Sequence, residues 1–159
     1  MEDNIGVEAL QVKATSGDTD AMKSLGKIAY EEGDFVGARQ WWERAAVLGH
    51  TVAMYNLGVL TDKEGDAHRA RDWYERAAAA GYTDAMFNLG VLASKESDRA
   101  DTRRWFERAA AAGHAYAMYN LGVLAYEESD RASASQWWEQ AGCAGNASAL
   151  YNLGILFEE

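Results

Sequence analysis

The chain is 159 residues long, 48% apolar and 25% charged, with six tryptophans, eight tyrosines and four phenylalanines. This composition can bury a core and excludes a disordered tail. A formal charge of −10 disfavours nucleic acid and anionic membrane surfaces, and leaves neutral or basic protein partners as the favoured class.

The acidic start, MEDNIGVEAL, has neither the basic beginning nor the apolar centre of a signal peptide. No apolar run reaches the roughly 18 residues that a membrane span needs, so a cytoplasmic location is expected. Residues 5–16 form the first predicted helix. They occupy the slot that later units give to a second helix, with Ala9-Leu10 in place of an aromatic pair and Lys13 in place of an alanine. A polar-substituted half-unit of this kind suits the end of a repeat array.

From Gly17 onward the sequence repeats every 32 residues. One glycine series runs Gly17, Gly49, Gly81, Gly113, Gly145, and another Gly26, Gly58, Gly90, Gly122, Gly154. Aromatic pairs keep the same step at Trp41-Trp42, Trp73-Tyr74, Trp105-Phe106 and Trp137-Trp138, as do the turns Gly33-Asp34, Gly65-Asp66, Ser97-Asp98 and Ser129-Asp130. Several landmarks in one register, without an insertion, predict stacked structural units.

Each unit predicts two helices. In the second unit Ala53, Met54, Leu57, Gly58, Leu60 and Thr61 fall on one helical face and predict a helix over 51–64. Asp66 is a suitable N-cap for a second helix over 67–80, which would bury Ala70, Trp73, Tyr74, Ala77 and Ala80. Gly81 then ends it in the left-handed conformation. The same reading predicts helix pairs at 19–48, 51–80, 83–112 and 115–144, and an unpaired final helix at 147–159. Two short helices cannot cover so wide an apolar stripe alone, so the expected fold is an all-α superhelical solenoid of about four and a half repeats in a single domain, 1–159.

The pattern A-M-x-N-L-G-x-L, then G-D, then A-x-x-W-Y-x-R-A-A-x-x-G resembles the tetratricopeptide (TPR) superfamily, and W-Y-x-R-A-A-x-x-G-x-x-x-A-x-x-N-L-G within it resembles the Sel-one-like repeat (SLR) variant. The resemblance covers residues 17–159. Two departures are the missing G-x-G-V segment between paired helices and the glycine that replaces a TPR proline. The bridging cysteines of some secreted SLR proteins are also missing. The single Cys143 excludes an intramolecular disulfide and reads as a small buried side chain.

The residues left over from core packing form a second face on each first helix. Its columns are Lys23, Tyr55, Phe87, Tyr119, Tyr151; then Ser24, Asn56, Asn88, Asn120, Asn152; then Lys27, Val59, Val91, Val123, Ile155. The resemblance implies that first helices line a concave groove, and that asparagines in such a column hydrogen-bond an extended peptide. An amide both donates and accepts, as a peptide unit does. A structural reading stands beside this one: the amides satisfy a neighbouring chain and the tyrosines pack between helices. On the final helix Leu153, Leu156 and Phe157 form an apolar face without a following partner, which makes self-association through that helix a second expectation.

The tryptophans, at helical spacing among alanines, read as core. The pairs Arg39/Glu43, Arg71/Glu75 and Arg103/Glu107 read as i,i+4 partners on a solvated face. His50 and His114 read as solvated turn residues. No H-E-x-x-H, C-x-x-C, phosphate-binding G-x-x-x-x-G-K or G-x-S-x-G occurs. The expected function is therefore a scaffold or adaptor that docks a peptide or a protein surface, with no cofactor, no metal and no catalysis. The alternative is a structural or self-associating repeat scaffold, consensus-designed or a fragment of a longer protein, without a dedicated ligand.

Overall fold

A computed structural model describes residues 2–158, with side chains from Gly6 to Leu156. Ten helices occur among these residues, in two compact units. The first unit, Met1–Tyr82, holds α1 (Glu2–Thr15), α2 (Thr19–Glu31), α3 (Phe35–Val47), α4 (Thr51–Lys63) and α5 (Ala67–Ala79). The second, Thr83–Glu159, holds α6 (Thr83–Lys95), α7 (Arg99–Ala111), α8 (Ala115–Glu127), α9 (Arg131–Cys143) and α10 (Ala147–Glu158). Within the first unit α2 pairs with α3 and α4 with α5, while α1 packs on α2 and α3 on α4. Within the second, α6 pairs with α7 and α8 with α9, while α7 packs on α8 and α10 on α9.

The punctuation is local chemistry. Asp34, Asp66, Asp98 and Asp130 cap the second helices, each accepting a hydrogen bond at 2.8–3.0 Å from the backbone N–H three residues on. Each such cap contributes about 1 kcal/mol. At the end of α3 the Gly49 N–H reaches the Ala46 carbonyl at 3.0 Å and the His50 N–H reaches that of Ala45 at 3.0 Å, with Gly49 at φ +86°. That paired closure satisfies two orphan carbonyls. Ser97 and Ser129 adopt φ of 61° and 64° where the earlier turns have Gly33 and Gly65, a conformation costly for a residue with a Cβ.

The second glycine series has a different purpose. Gly26, Gly58, Gly90 and Gly122 lie inside first helices, and a Cβ on any of them would fall closer than 3.0 Å to a ring: Trp42, Tyr74, Phe106 and Trp138 respectively. Each hairpin thus closes by seating a ring of its second helix in a notch of its first. The two indoles also donate from Nε1 to the first helix, Trp42 to the Lys23 carbonyl at 3.1 Å and Trp138 to the Tyr119 carbonyl at 3.2 Å. A ring buried with its polar atom satisfied is a large apolar contribution without a desolvation penalty. The six predicted core positions of α4, from Ala53 to Thr61, are all buried.

Several sequence expectations need correction. Trp41, Trp73 and Trp137 are only half-buried. The second aromatic of each pair faces its own hairpin, and the first lies about 100° round the helix. There the Arg44 guanidinium covers Trp41 at 4.8 Å and that of Arg76 covers Trp73 at 4.3 Å. In α5 it is Ala78, not Ala80, that is buried. Cys143 is exposed, because its column (Val47, Ala79, Ala111) lies on the outer side of the second helices. Arg39 and Arg103 do not pair with Glu43 and Glu107. Arg39 reaches Glu64 and Arg103 reaches Glu128 at 2.6 Å, each at the end of the following first helix.

Candidate functional site

Each first helix of the first unit begins on a side chain. Asp18 caps α2, accepting from the Ala21 N–H at 2.9 Å. His50 caps α4, its Nδ1 accepting from the Ala53 N–H at 3.2 Å while Nε2 faces the Asp20 carboxylate at 3.3 Å. In the second unit His114 does the same for α8, with Nδ1 on the Ala117 N–H at 3.2 Å and Nε2 3.5 Å from Asp84. These histidines are half-buried structural caps, which corrects their reading as solvated turn residues. With Nδ1 accepting, the proton of the neutral ring belongs on Nε2. The carboxyl of Asp20 is held below its ordinary value, first by the hydrogen bond from His50 and then by Lys23. His114 is held below its ordinary value mainly by burial, against the opposing pull of Asp84.

The first column of candidate residues behaves as mortar between hairpins. Tyr55 lies between Tyr74 at 5.9 Å and Tyr82 at 4.9 Å. Phe87 lies between Phe106 at 5.6 Å and the His114 ring, stacked at 4.6 Å. Lys23 and Lys27 pair along their own helix, with Asp20 at 3.3 Å and Glu31 at 3.6 Å. Tyr151 is the exception in the column, at 71% exposure.

The asparagines differ from the rings. The Asn152 amide donates to the Tyr119 hydroxyl at 3.4 Å. Asn56, Asn88 and Asn120 are half-buried, and among the described residues no hydrogen bond engages their amides. They keep donor and acceptor available at a partly dry surface, where either is worth more than in open water.

In the second unit a cavity of about 600 Å³ brings this surface together. Val91, Ser94 and Lys95 of α6, Asn120, Val123, Leu124 and Glu127 of α8, and Ser97, Arg99, Thr102 and Phe106 from the connecting turn and α7 line it. Three residues singled out from the sequence, Val91, Asn120 and Val123, are in this lining. Arg99 and Glu127, both in this lining, form an ion pair at 2.8 Å. Ser94 lies in a column whose variation between units marks it as a place for specificity, whereas Lys95, Arg99 and Thr102 of the polar lining were missed. In the first unit a second cavity of about 640 Å³, lined by Ala14, Thr15, Met22, Gln40, Val47 and Leu48 among others, contains none of the selected residues.

The proposed self-association face also shifts. Leu156 is buried, at 7% exposure, in a cluster with Ala134, Trp138 and Ala141, and Leu153 packs against that cluster. Leu156 continues the column of Leu60 and Leu92, which are buried as well. Phe157 has its side chain outside the described residues. Among the described residues no group of His, Cys, Asp and Glu could hold a metal ion, and no helix is long and apolar enough to cross a membrane.

Comparison with known proteins gives a consistent result. The sequence profile of the Sel1 repeat matches residues 19–50, 51–82, 83–114, 115–146 and 147–159. No curated protein sequence matches the chain significantly. Among solved structures, a protective antigen of uropathogenic Escherichia coli strains displaying an SLR fold is 32% identical, with a TM-score of 0.83 over 95% of this chain and 36% of its own. A Sel1 repeat protein from Oxalobacter formigenes is 24% identical, with a TM-score of 0.72 over 88% of this chain and 64% of its own. PilF of Pseudomonas aeruginosa shares the fold at 17% identity, with a TM-score of 0.74 over 98% of this chain and 79% of its own. The chain thus spans about a third of the first of these proteins and just under two thirds of the second.

Proposed function

Since the chain belongs to the Sel1 repeat family, an all-α solenoid class whose members serve generally as protein-interaction scaffolds, we propose that it binds an extended segment of a partner protein along the first-helix face of its second unit. The observation that carries this reading is the cavity of about 600 Å³ into which Val91, Asn120 and Val123 converge. Its apolar floor suits a branched aliphatic side chain, and the free amides of Asn88 and Asn120 suit the backbone on either side. Each amide bond contributes only about 0.5–1.5 kcal/mol net, so recognition needs the apolar anchor as well. The formal charge of −10 favours a neutral or basic segment. The activity is binding, without a catalytic step.

The test is a library of extended peptides panned against the protein. Binders should lose about tenfold or more in affinity when Asn88→Ala and Asn120→Ala are combined, with helicity and melting unchanged, and again with Val123→Asp. If the selected peptides bind the double variant as well as the parent, the reading fails.

A further inference from the structure

One position near the end of each first helix decides what lies against the ring of that hairpin. On α2 it is Tyr30, whose ring lies 5.8 Å from that of Trp42 and meets Phe35 edge-on at 5.4 Å. The Tyr30 hydroxyl accepts a hydrogen bond from the Lys63 Nζ of the following first helix. On α8 the same position is Tyr126, 5.7 Å from Trp138. On α6 it is Ser94, exposed and without a ring to lay against Phe106. Arg99 stands where the first hairpin has Phe35, and Glu127 where it has Lys63. The cavity of about 600 Å³ is the space these exchanges leave, since Ser94, Arg99, Phe106 and Glu127 all line it.

We infer that this cavity is a tyrosine pocket, which takes an unmodified tyrosine side chain of the partner segment. The inference rests on the groove reading above for the segment that brings the ring, and adds which side chain that segment must carry. Two hairpins of this chain already show what fits the place, because a tyrosine of their own fills it. An aromatic pair contributes beyond the area it buries. An extended segment sends every second side chain to one side, about 7 Å apart. The ring therefore sits beside Phe106, two residues from the aliphatic side chain on Val91 and Val123. Glu127 selects the hydroxyl. One of its oxygens receives Arg99 at 2.8 Å, and a carboxylate has further acceptor sites for a phenol O–H. In the first unit the equivalent bond runs the other way, from ammonium to hydroxyl. That carboxylate, on a chain of formal charge −10, disfavours a phosphorylated ring.

The first probe is p-cresol, the tyrosine side chain alone, titrated into isotope-labelled 159-residue protein. It should shift the amide resonances of Ser94, Phe106 and Glu127 and leave those of Tyr30 and Lys63 unmoved. Toluene, which lacks the hydroxyl, should bind about threefold or more weakly. Ser94→Tyr gives α6 the residue that α2 and α8 carry, so it should fold as the parent does and weaken p-cresol binding by about tenfold or more. Glu127→Ala leaves Arg99 its contact with Glu128 at 3.3 Å and should abolish the preference for p-cresol over toluene. The second probe is the panned peptide library, in which tyrosine should be enriched two positions from a branched aliphatic residue. Shifts elsewhere or none, equal binding to the parent and Ser94→Tyr, or tighter binding of p-cresyl phosphate would overturn the proposal. So would a concentration-dependent dimer lost in Ser94→Tyr, which would give the cavity to a second copy. Peptides that depend on Asn88 and Asn120 but lack tyrosine would overturn the pocket and leave the groove standing. Binding of p-cresol as described, with no peptide selected, would support the pocket and overturn the groove.

Discussion

The hairpin α8–α9 and the lone helix α10 are nearly the same sentence written in two contexts. Residues 117–124 read AMYNLGVL and residues 149–156 read ALYNLGIL. In the first, Gly122 lies under the Trp138 ring and Leu121 is fully buried. In the second, Gly154 faces open space and Leu150 and Tyr151 are 56% and 71% exposed. Helix formation therefore does not depend on the ring, since both stretches are helical. What the ring supplies is closure, and its removal should be felt only where closure exists. Trp138→Ala vacates the notch and also frees the Tyr119 carbonyl. It should cost about 3–5 kcal/mol, read as a lowered denaturant midpoint, whereas Tyr151→Ala at the open end should cost under about 0.5 kcal/mol.

A matched pair of glycine substitutions sharpens the contrast by reversing its sign. Gly122→Ala forces a methyl group into the indole and should destabilise by about 1–3 kcal/mol. Gly154→Ala meets nothing, removes a flexible residue from a helix, and should stabilise by about 0.5–1 kcal/mol. Equal effects at the two positions would mean that the notch is not what distinguishes them.

Much of this was legible in the sequence, and the reasons are specific. The helical hairpins followed from a 32-residue register that any single unit would have left ambiguous. The core of α4 followed from the spacing of Ala53, Leu57 and Thr61. The purpose of the glycines inside the first helices was not legible, since nothing in the one-dimensional pattern tells a helix glycine that admits a ring from one that merely weakens the helix. Nor were the histidine caps, because histidine is a less usual cap than the Asp18 and Asn146 that share its column. The partners of Arg39 and Arg103 lie 25 residues away, beyond the reach of i,i+4 reasoning. Nor could the pattern show that Tyr55 and Phe87 of the aromatic column pack on the rings that follow their hairpins, Tyr82 and His114.

The caps extend the comparison to acid. Helix α8 begins on His114 and α10 on Asn146, whose Oδ1 accepts from the Ala149 N–H at 3.1 Å. An amide does not titrate, but an imidazole that gains a proton on Nδ1 turns from acceptor to donor and loses its cap. The His114 pKa lies below its ordinary value in the folded chain, principally through burial. The stability it contributes is thus fully present above the ordinary histidine pKa near 6.5, and is lost as pH falls through the folded-state value. His114→Asn, which installs the cap of α10, should flatten the decline in melting temperature between pH 7 and pH 5. A variant that keeps the full slope would place the acid sensitivity elsewhere.

The smallest effect tests the turn that makes α8–α9 a hairpin at all. Ser129 sits at φ 64°, where the first two hairpins use Gly33 and Gly65. The left-handed conformation costs a residue with a Cβ about 1–2 kcal/mol, and glycine returns part of that gain as greater entropy in the unfolded chain. Ser129→Gly should therefore stabilise by about 0.5–1 kcal/mol, while Gly65→Ser, the reverse change in the first unit, should destabilise by a similar amount. Unchanged denaturant midpoints in both variants would mean that the left-handed turn carries no strain.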